Sequence, residues 1–297
     1  MDVLMDGTAR IVIIGNGFDL HYNIASSYRH YKEWLTIVHP ELWQKLERHI
    51  NANGEWWNDF ERNLAEFDIR KIIKESPRYY PSRNFRFPPS PLFLANQFFE
   101  KIRKEITDSF VEWIKTLSIN DVIKNVELPE ALLYISFNYT NTLEQIYGIP
   151  KDRILYIHGN ASRGDKLIFG HSKSHYEIES DYMRKYGLRE IEDFYDNSSV
   201  ISNEEYQLAL KVSSLDKFPY TQIVGYSGIL LPAVKSSSEV VCFGFSFSEV
   251  DFQYLEWIAA KNPDLLWRVS WHLPTDISKV KTFFRQVDIT NYTLFQF

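Results

Sequence analysis

The sequence has a single cysteine, three methionines and no apolar run of the length that crosses a bilayer. The lone cysteine, Cys242, excludes an intrachain disulfide and a thiolate zinc centre. Because it lies in the apolar run 240–243, we expect a small hydrophobe buried in a strand. A membrane-spanning helix needs about 20 apolar residues, and the first ten residues lack the apolar stretch of a signal peptide. We therefore expect a cytoplasmic protein that has no membrane partner.

Positive charge is also in short supply, with 33 Lys and Arg against 39 Asp and Glu and a net charge of −6. Such a surface does not attract nucleic acid over long distances, so general nucleic-acid binding is not expected. Apolar and aromatic residues are abundant, at 44% and 16% of 297 residues. This composition predicts a sizeable core. We expect a single α/β domain over 1–297, with a charged helical insertion or lid at 176–215.

The fold class follows from short apolar runs that are separated by helical patterns. Runs without polar alternation are typical of strands that are covered on both faces, as in parallel sheets. Their alternation with helices predicts an α/β fold, a doubly wound and mostly parallel sheet that is Rossmann-like. The expected strands are 10–14, 132–137, 154–157, 166–172, 239–243, 267–273 and 292–297.

Polar residues end two of these runs, at Asn138 and at His158. Open parallel sheets bind ligands outside the carboxyl ends of their strands, so both residues are predicted to face one crevice. A short helix is expected between them, at 140–147. Thr140 or Asn141 is the predicted N-cap of that helix, since both side chains accept hydrogen bonds from first-turn N–H groups.

A glycine pair, Gly15 and Gly17, follows the first strand. Such a pair allows a tight turn and close approach of a ligand, and a following helix would suit a phosphate. The alternative is an ordinary strand-to-helix turn, because a third glycine of the Rossmann pattern would fall at Leu20. The negative charge of Asp19 suits a ribose hydroxyl, or the fixing of the loop backbone, better than a pyrophosphate.

Three further features allow two interpretations each. Glu61 lies among apolar residues in a segment with helical periodicity. It is interpreted either as an acid–base group or as a paired structural carboxylate. In the stretch 76–91, arginines alternate with prolines and aromatic residues. This stretch is interpreted either as a site for a planar anion or as an ordered surface connection that crosses over the core. His171 is a substrate contact or a structural histidine. The histidines lack the spacing of a zinc site, so no metal centre is predicted.

Six motifs in this order carry a family resemblance: GNGFDL, WNDFE, SFNYTNTLE, IHGN, FGHS and FGFSFSEVD. They span nearly the whole chain. Together they resemble the AbiH-type bacteriophage abortive-infection proteins. More remotely, that family is similar to sirtuin-type NAD-binding domains, including NAD-hydrolysing effectors of antiphage defence. The resemblance implies a sirtuin-type fold and an antiphage effector whose substrate is NAD⁺, cleaved between nicotinamide and ribose.

The resemblance also implies roles for individual residues. Asn138 orients the nicotinamide ribose and the attacking water, and His158 is the catalytic histidine. The remaining expected contacts bind the dinucleotide. They are Gly15, Asn16, Gly17 and Asp19 after the first strand, Gly244, Ser246 and Asp251 after the 239–243 strand, and His171.

Some positions depart from the sirtuin pattern. Thr140 stands where many such motifs have an aspartate, and Asn16 and Phe18 replace small residues. The motifs therefore do not determine the identity of the ligand. The zinc cysteines of deacetylating sirtuins are absent, so deacetylation is not expected. Two other functions fit a defence protein: a nucleotide-binding sensor without catalysis, or a metal-dependent nuclease. A homo-oligomer or a partner protein of a defence system is compatible with each.

Overall fold

The computed structural model describes residues 8–50, 56–75, 91–119, 123–173, 177–178, 180–181, 184 and 219–297. The stretch predicted as a loop at 76–91 lies outside these ranges up to residue 90, and so does most of the predicted insertion at 176–215. The chain divides into two compact units. The first comprises Met1–Ser27, Trp113–Ile168 and Phe218–Phe297, and the second comprises Tyr28–Glu112 and Phe169–Lys217. The single domain over 1–297 stays a prediction.

A six-stranded parallel sheet forms the centre of the first unit. The strand order is β3-β2-β1-β4-β5-β6, and every neighbouring pair is parallel. This arrangement confirms the predicted α/β doubly wound, Rossmann-like fold. The strands are β1 (Arg10–Ile14), β2 (Leu133–Ser136), β3 (Ile154–Tyr156), β4 (Glu239–Phe243), β5 (Leu266–Trp271) and β6 (Tyr292–Gln296).

Both faces of this sheet are buried, which explains the uninterrupted apolar runs. Successive residues of a strand point to opposite faces. In β1, Ile11 and Ile13 belong to one apolar cluster, and Val12 and Ile14 belong to another. Cys242 lies in the first cluster and is fully buried as a free thiol, as predicted. Its burial raises the pKa of the thiol.

Helices of the first unit cover both faces of the sheet. The first cluster includes residues of the helices Pro219–Ser236, Phe252–Lys261 and Pro274–Gln286, and the second includes residues of the helices Asn16–His21 and Thr142–Tyr147. The bounds of these helices are α1 (Asn16–His21), α7 (Thr142–Tyr147), α8 (Pro219–Ser236), α9 (Phe252–Lys261) and α10 (Pro274–Gln286), with short 3₁₀ turns at Lys151–Arg153, Ala161–Arg163 and Glu249–Asp251.

The second unit is helical in its described part and is built on aromatic residues. Tyr31 is fully buried, and its hydroxyl is 2.8 Å from that of Ser109. The helices are α2 (Tyr28–Val38), α3 (Pro40–His49), a 3₁₀ turn (Trp56–Asp59), α4 (Phe60–Asn63), α5 (Ile69–Glu75) and α6 (Pro91–Thr116), whose last residues belong to the first unit. None of the described helices in the chain has the length and apolar character to cross a membrane.

One prediction of local structure is wrong, and a second is confirmed in position but not in its hydrogen bond. No strand spans 166–172, where only His171 makes an isolated bridge; the apolar run is three residues long, and the N–H of Ile168 donates instead to the carbonyl of His158 at 3.0 Å. Asn141 occupies the N-cap position of α7, but its side chain makes no capping hydrogen bond. Its ψ of 33° lies outside the extended region that capping residues adopt.

Candidate active site

The candidate site lies at the carboxyl ends of the first four strands of the sheet. Ser136 of β2 pairs with Tyr156 of β3, and two residues beyond each of them stand Asn138 and His158. The sheet register therefore brings both residues to neighbouring positions at one edge. This is the arrangement that the sequence predicted for them.

The imidazole of His158 has a carboxylate partner from the turn after β4. Nε2 of His158 lies 3.2 Å from Oδ1 of Asp251, and both residues are buried. An ionised carboxylate only accepts hydrogen bonds, so Nε2 carries the hydrogen in this pair. Asp251, which was predicted to contact a dinucleotide, is thus the residue that orients His158.

Three aromatic rings surround this histidine. The ring of Phe137 is 5.3 Å away and that of Tyr254 is 5.6 Å away, both nearly edge-on. The ring of Tyr139 lies 6.1 Å away at an angle of 30°. Because these rings are bulky, they limit water access to the imidazole and hold it in one orientation.

The side chain of Asn138 is buried, and neither amide atom makes a hydrogen bond of regular geometry, although the side chain lies close enough to Asp19 to lower the pKa of that carboxyl. Its backbone is fixed, since its N–H donates to Oγ of Ser136 at 3.2 Å. Leaving a buried polar group unsatisfied costs roughly 1–3 kcal/mol, so such groups are uncommon in folded proteins. A ligand that offers a hydroxyl to this amide removes that cost.

Asp19 is completely buried in α1. Its carboxylate accepts hydrogen bonds from the hydroxyls of Thr140 at 2.6 Å and Thr142 at 2.7 Å. Burial raises the pKa of Asp19 to about 6, against the lowering effects of Thr140, Thr142 and Asn138. A carboxylate therefore contacts position 140, where the sirtuin pattern has an aspartate.

The glycines at the switch point of the sheet pack directly against each other. The N–H of Gly17 donates to the carbonyl of Gly244 at 2.8 Å, and the N–H of Gly15 donates to the carbonyl of Phe243 at 3.0 Å. A Cβ on Gly244 would lie 2.1 Å from the backbone nitrogen of Phe18. The close approach of two loops explains why these positions are glycine; phosphate binding by the pair stays a prediction.

The other residues that were predicted to take part in the site each have a different environment. Oδ1 of Asn16 accepts a hydrogen bond from Ser26 at 2.6 Å, and Ser246 is exposed on the turn after β4. His171 and Glu61 are both buried in the second unit, where the N–H of Gly170 donates to Glu61 at 3.4 Å. Ligand contact by each of them stays a prediction.

Two relationships in the site were not found from the sequence. One is the His158–Asp251 pair, and the other is the contact of Thr140 and Thr142 with Asp19. A signal for the second was present, because two threonines spaced by one residue follow a strand end directly. Within the described ranges, no three His, Cys, Asp or Glu side chains come together as a possible metal centre.

Taken together, the sheet order and the polar residues at its strand ends define a doubly wound α/β protein with a candidate ligand site at the carboxyl edge. A family model described as "Bacteriophage abortive infection AbiH" matches residues 11–271. The chain belongs to this AbiH family, as its motifs predicted, and the family assigns it a role in bacteriophage abortive infection. The comparison with curated proteins gives no match. Similarity to sirtuins stays a prediction.

Proposed function

We propose that this AbiH protein binds NAD⁺ and hydrolyses it at the bond between nicotinamide and ribose. The observation that carries the proposal is the buried amide of Asn138, which makes no hydrogen bond of regular geometry and stands two residues beyond the pair Ser136–Tyr156, as His158 does on the neighbouring strand. A neutral amide has both a donor and an acceptor. It therefore matches a ribose hydroxyl and a water molecule, the two groups that the reaction has to position.

In the proposed reaction, a water oxygen bonds to C1′ of the ribose as the C1′–nitrogen bond breaks. The bonding electron pair passes to the ring nitrogen, which loses its positive charge, so neutral nicotinamide leaves. A proton of the water passes to His158. The products are nicotinamide, ADP-ribose and a proton that is later released to solvent.

His158 and Asp251 act as one acid–base unit in this proposal. With the hydrogen of Nε2 donated to Asp251, the neutral ring accepts the proton at Nδ1. The carboxylate at 3.2 Å then stabilises the imidazolium that forms. Asn138 holds the ribose and the attacking water, and the rings of Phe137 and Tyr254 keep bulk water from the developing positive charge.

The test is to incubate the purified protein with NAD⁺ and to follow nicotinamide and ADP-ribose. We expect equal amounts of the two products from the wild type. His158→Ala and Asn138→Ala are expected to lose about 100-fold to 10,000-fold in turnover, the usual contribution of positioned acid–base groups. The matched controls are His272→Ala and Asn291→Ala, which change exposed residues of the same unit.

Other outcomes separate the alternative functions. Undiminished turnover in both site variants contradicts the assignment of these residues. Thermal stabilisation by NAD⁺ without product favours a nucleotide sensor. Cleavage of nucleic acid that requires added Mg²⁺ or Mn²⁺, with NAD⁺ left intact, favours a nuclease.

A further inference from the structure

We infer that Asp19 is a positioning residue, which fixes the turn that carries Asn138 through the hydroxyl groups of Thr140 and Thr142. The inference deepens the proposed function and rests on it for the chemical use of the Asn138 amide. The sequence allowed two roles for Asp19, a ribose contact or the fixing of a loop, and the inference gives it the second.

The three side chains form one closed network. Oδ2 of Asp19 accepts the hydrogen bond from Thr140 at 2.6 Å, and Oδ1 accepts the one from Thr142 at 2.7 Å. The two threonine oxygens are 3.0 Å apart. Hydrogen bonds to an ionised acceptor are roughly twice as strong as neutral ones. The network therefore ties α1 firmly to the segment that follows β2.

This network leaves Asp19 badly placed to bind a ligand directly. The residue is fully buried, as are Thr140 and Thr142. Each of its oxygens already accepts a short hydrogen bond from the protein. Because Asp19 has no exposed surface, a ribose hydroxyl could reach its carboxylate only if the residues that cover it moved away, whereas the threonine hydroxyls already lie in contact with it.

The backbone around Asn138 is held at several points, whereas the Asn138 amide makes no hydrogen bond of regular geometry. Thr140 stands two residues further on and is bonded to Asp19. The carbonyl of Tyr139, between them, accepts from the N–H of Ala161 at 3.0 Å. On the other side, Ser136 accepts from the backbone of Asn138. The location of the amide is therefore set by the backbone that carries it.

The rate of the proposed reaction depends on this location. A misplacement of about 1 Å in a positioning group costs about 100-fold in rate. Thr140→Val keeps the shape of the side chain and removes the hydroxyl that bonds Asp19. We expect it to lower kcat for NAD⁺ about 100-fold with a much smaller change in KM.

Two matched variants show whether the hydroxyl is responsible. Thr140→Ser retains the hydroxyl and is expected to restore kcat to within about threefold of the wild type. Thr293→Val makes the same change at an exposed position of β6 and is expected to have wild-type kinetics. Thr142→Val is the second test of the network, should Thr140→Val fail to fold.

An independent readout needs no NAD⁺. Asp19 has a pKa of about 6, and the Asn138 side chain is among the groups that lower it. In protein labelled with ¹⁵N-asparagine, the side-chain NH₂ signals of Asn138 are identified by their loss in Asn138→Ala. We expect these signals to shift with pH, with a midpoint near 6, and to show no such step in Asp19→Asn.

The two experiments distinguish the inference from the proposed function. If the wild type cleaves NAD⁺ while Thr140→Val and Thr142→Val keep full activity, the inference is wrong and the proposed function stands. If the Asn138 signals follow the titration of Asp19 but NAD⁺ stays intact, the proposed function is wrong and the network stands. Asn138 signals that are the same in the wild type and in Asp19→Asn at every pH overturn the inference by themselves.

Discussion

Nε2 of His158 and Oδ1 of Asp251 lie 3.2 Å apart, although 93 residues separate them in the sequence. The side chain of His158 is 2% exposed, and that of Asp251 is 12% exposed. Removal from water strengthens an electrostatic interaction, because it lowers the effective dielectric constant. The pair therefore holds the imidazole in one tautomer and one orientation.

Asp251→Asn is expected to lower kcat for NAD⁺ about 100-fold or more, with KM less affected. An amide in place of the carboxylate neither fixes the tautomer nor stabilises the imidazolium. The measurement is steady-state release of nicotinamide. Asp264→Asn, an exposed change in the same unit, is the control. Equal loss of kcat in both variants would show that the effect is not specific to the pair.

Gly244→Ala is expected to destabilise the protein by about 2–5 kcal/mol, from a backbone φ of 58° and a clash with the backbone of Gly17 and Phe18 after β1. Gly148→Ala separates the two causes. Gly148 has a similar φ of 64°, but a Cβ there meets no atom within 4 Å. It should cost about 1 kcal/mol. Urea denaturation of both variants measures the difference, and similar losses would contradict the clash.

The stability of the protein should depend on the ionisation of Asp19. Its pKa is about 6 when folded and has an ordinary value of 3.8. Between these values the folded state holds a proton that the unfolded state releases, so this contribution to stability is full below pH 3.8 and is lost as pH rises through 6. The loss amounts to about 2 kcal/mol between about pH 4 and pH 7.5.

The check on Asp19 is chemical denaturation across this pH range for the wild type and Asp19→Asn. We expect the free energy of unfolding of the wild type, relative to the variant, to fall as the pH rises. Asp264→Asn should leave the pH dependence of the wild type unchanged, since Asp264 is exposed. A wild-type advantage that grows with pH would contradict the raised pKa.

Glu239→Ala is expected to cost up to about 3–5 kcal/mol of stability, because it removes the carboxylate that bonds a buried arginine. Oε2 of Glu239 lies 2.6 Å from Nε of Arg10, and both side chains are 7% exposed. This pair joins the amino ends of β1 and β4, the opposite edge from the candidate site. The kcat of the folded fraction should therefore be unchanged. Glu256→Ala, at an exposed position, should cost less than about 0.5 kcal/mol.

The sequence predicted those parts of the fold that are determined by residues close together in the chain. The bounds of β1 and β4 were predicted to the residue, because their runs are apolar and β-branched and are buried on both faces. The strand at 166–172 was wrong, since a short apolar run also occurs where backbone groups bond to a neighbouring loop. The order of the strands depends on pairings between distant segments, which no local pattern contains.

The site could be predicted only to the level of its strand ends. Asn138 and His158 were identified because each follows a buried run. Asp251 was identified as polar but not as the partner of His158, since the pairing depends on the order of β3 and β4 in the sheet. Asp19 was predicted to bind a ligand or to fix the loop. Its bonds to two threonines favour the second role, and they depend on a contact across 121 and 123 residues.

The first unit is assembled from three separate stretches of the chain, and this has a consequence during translation. The central strand β1 is made first, yet its partner β4 follows much later: Glu239 comes 229 residues after Arg10. At about 5–20 residues per second, a ribosome needs roughly 10–45 seconds for that interval. During this interval, the nascent chain lacks Asp251 and the loop after β4 that packs against Gly15 and Gly17. The candidate site therefore stays incomplete on the ribosome until the segment that carries Asp251 has been made and has emerged.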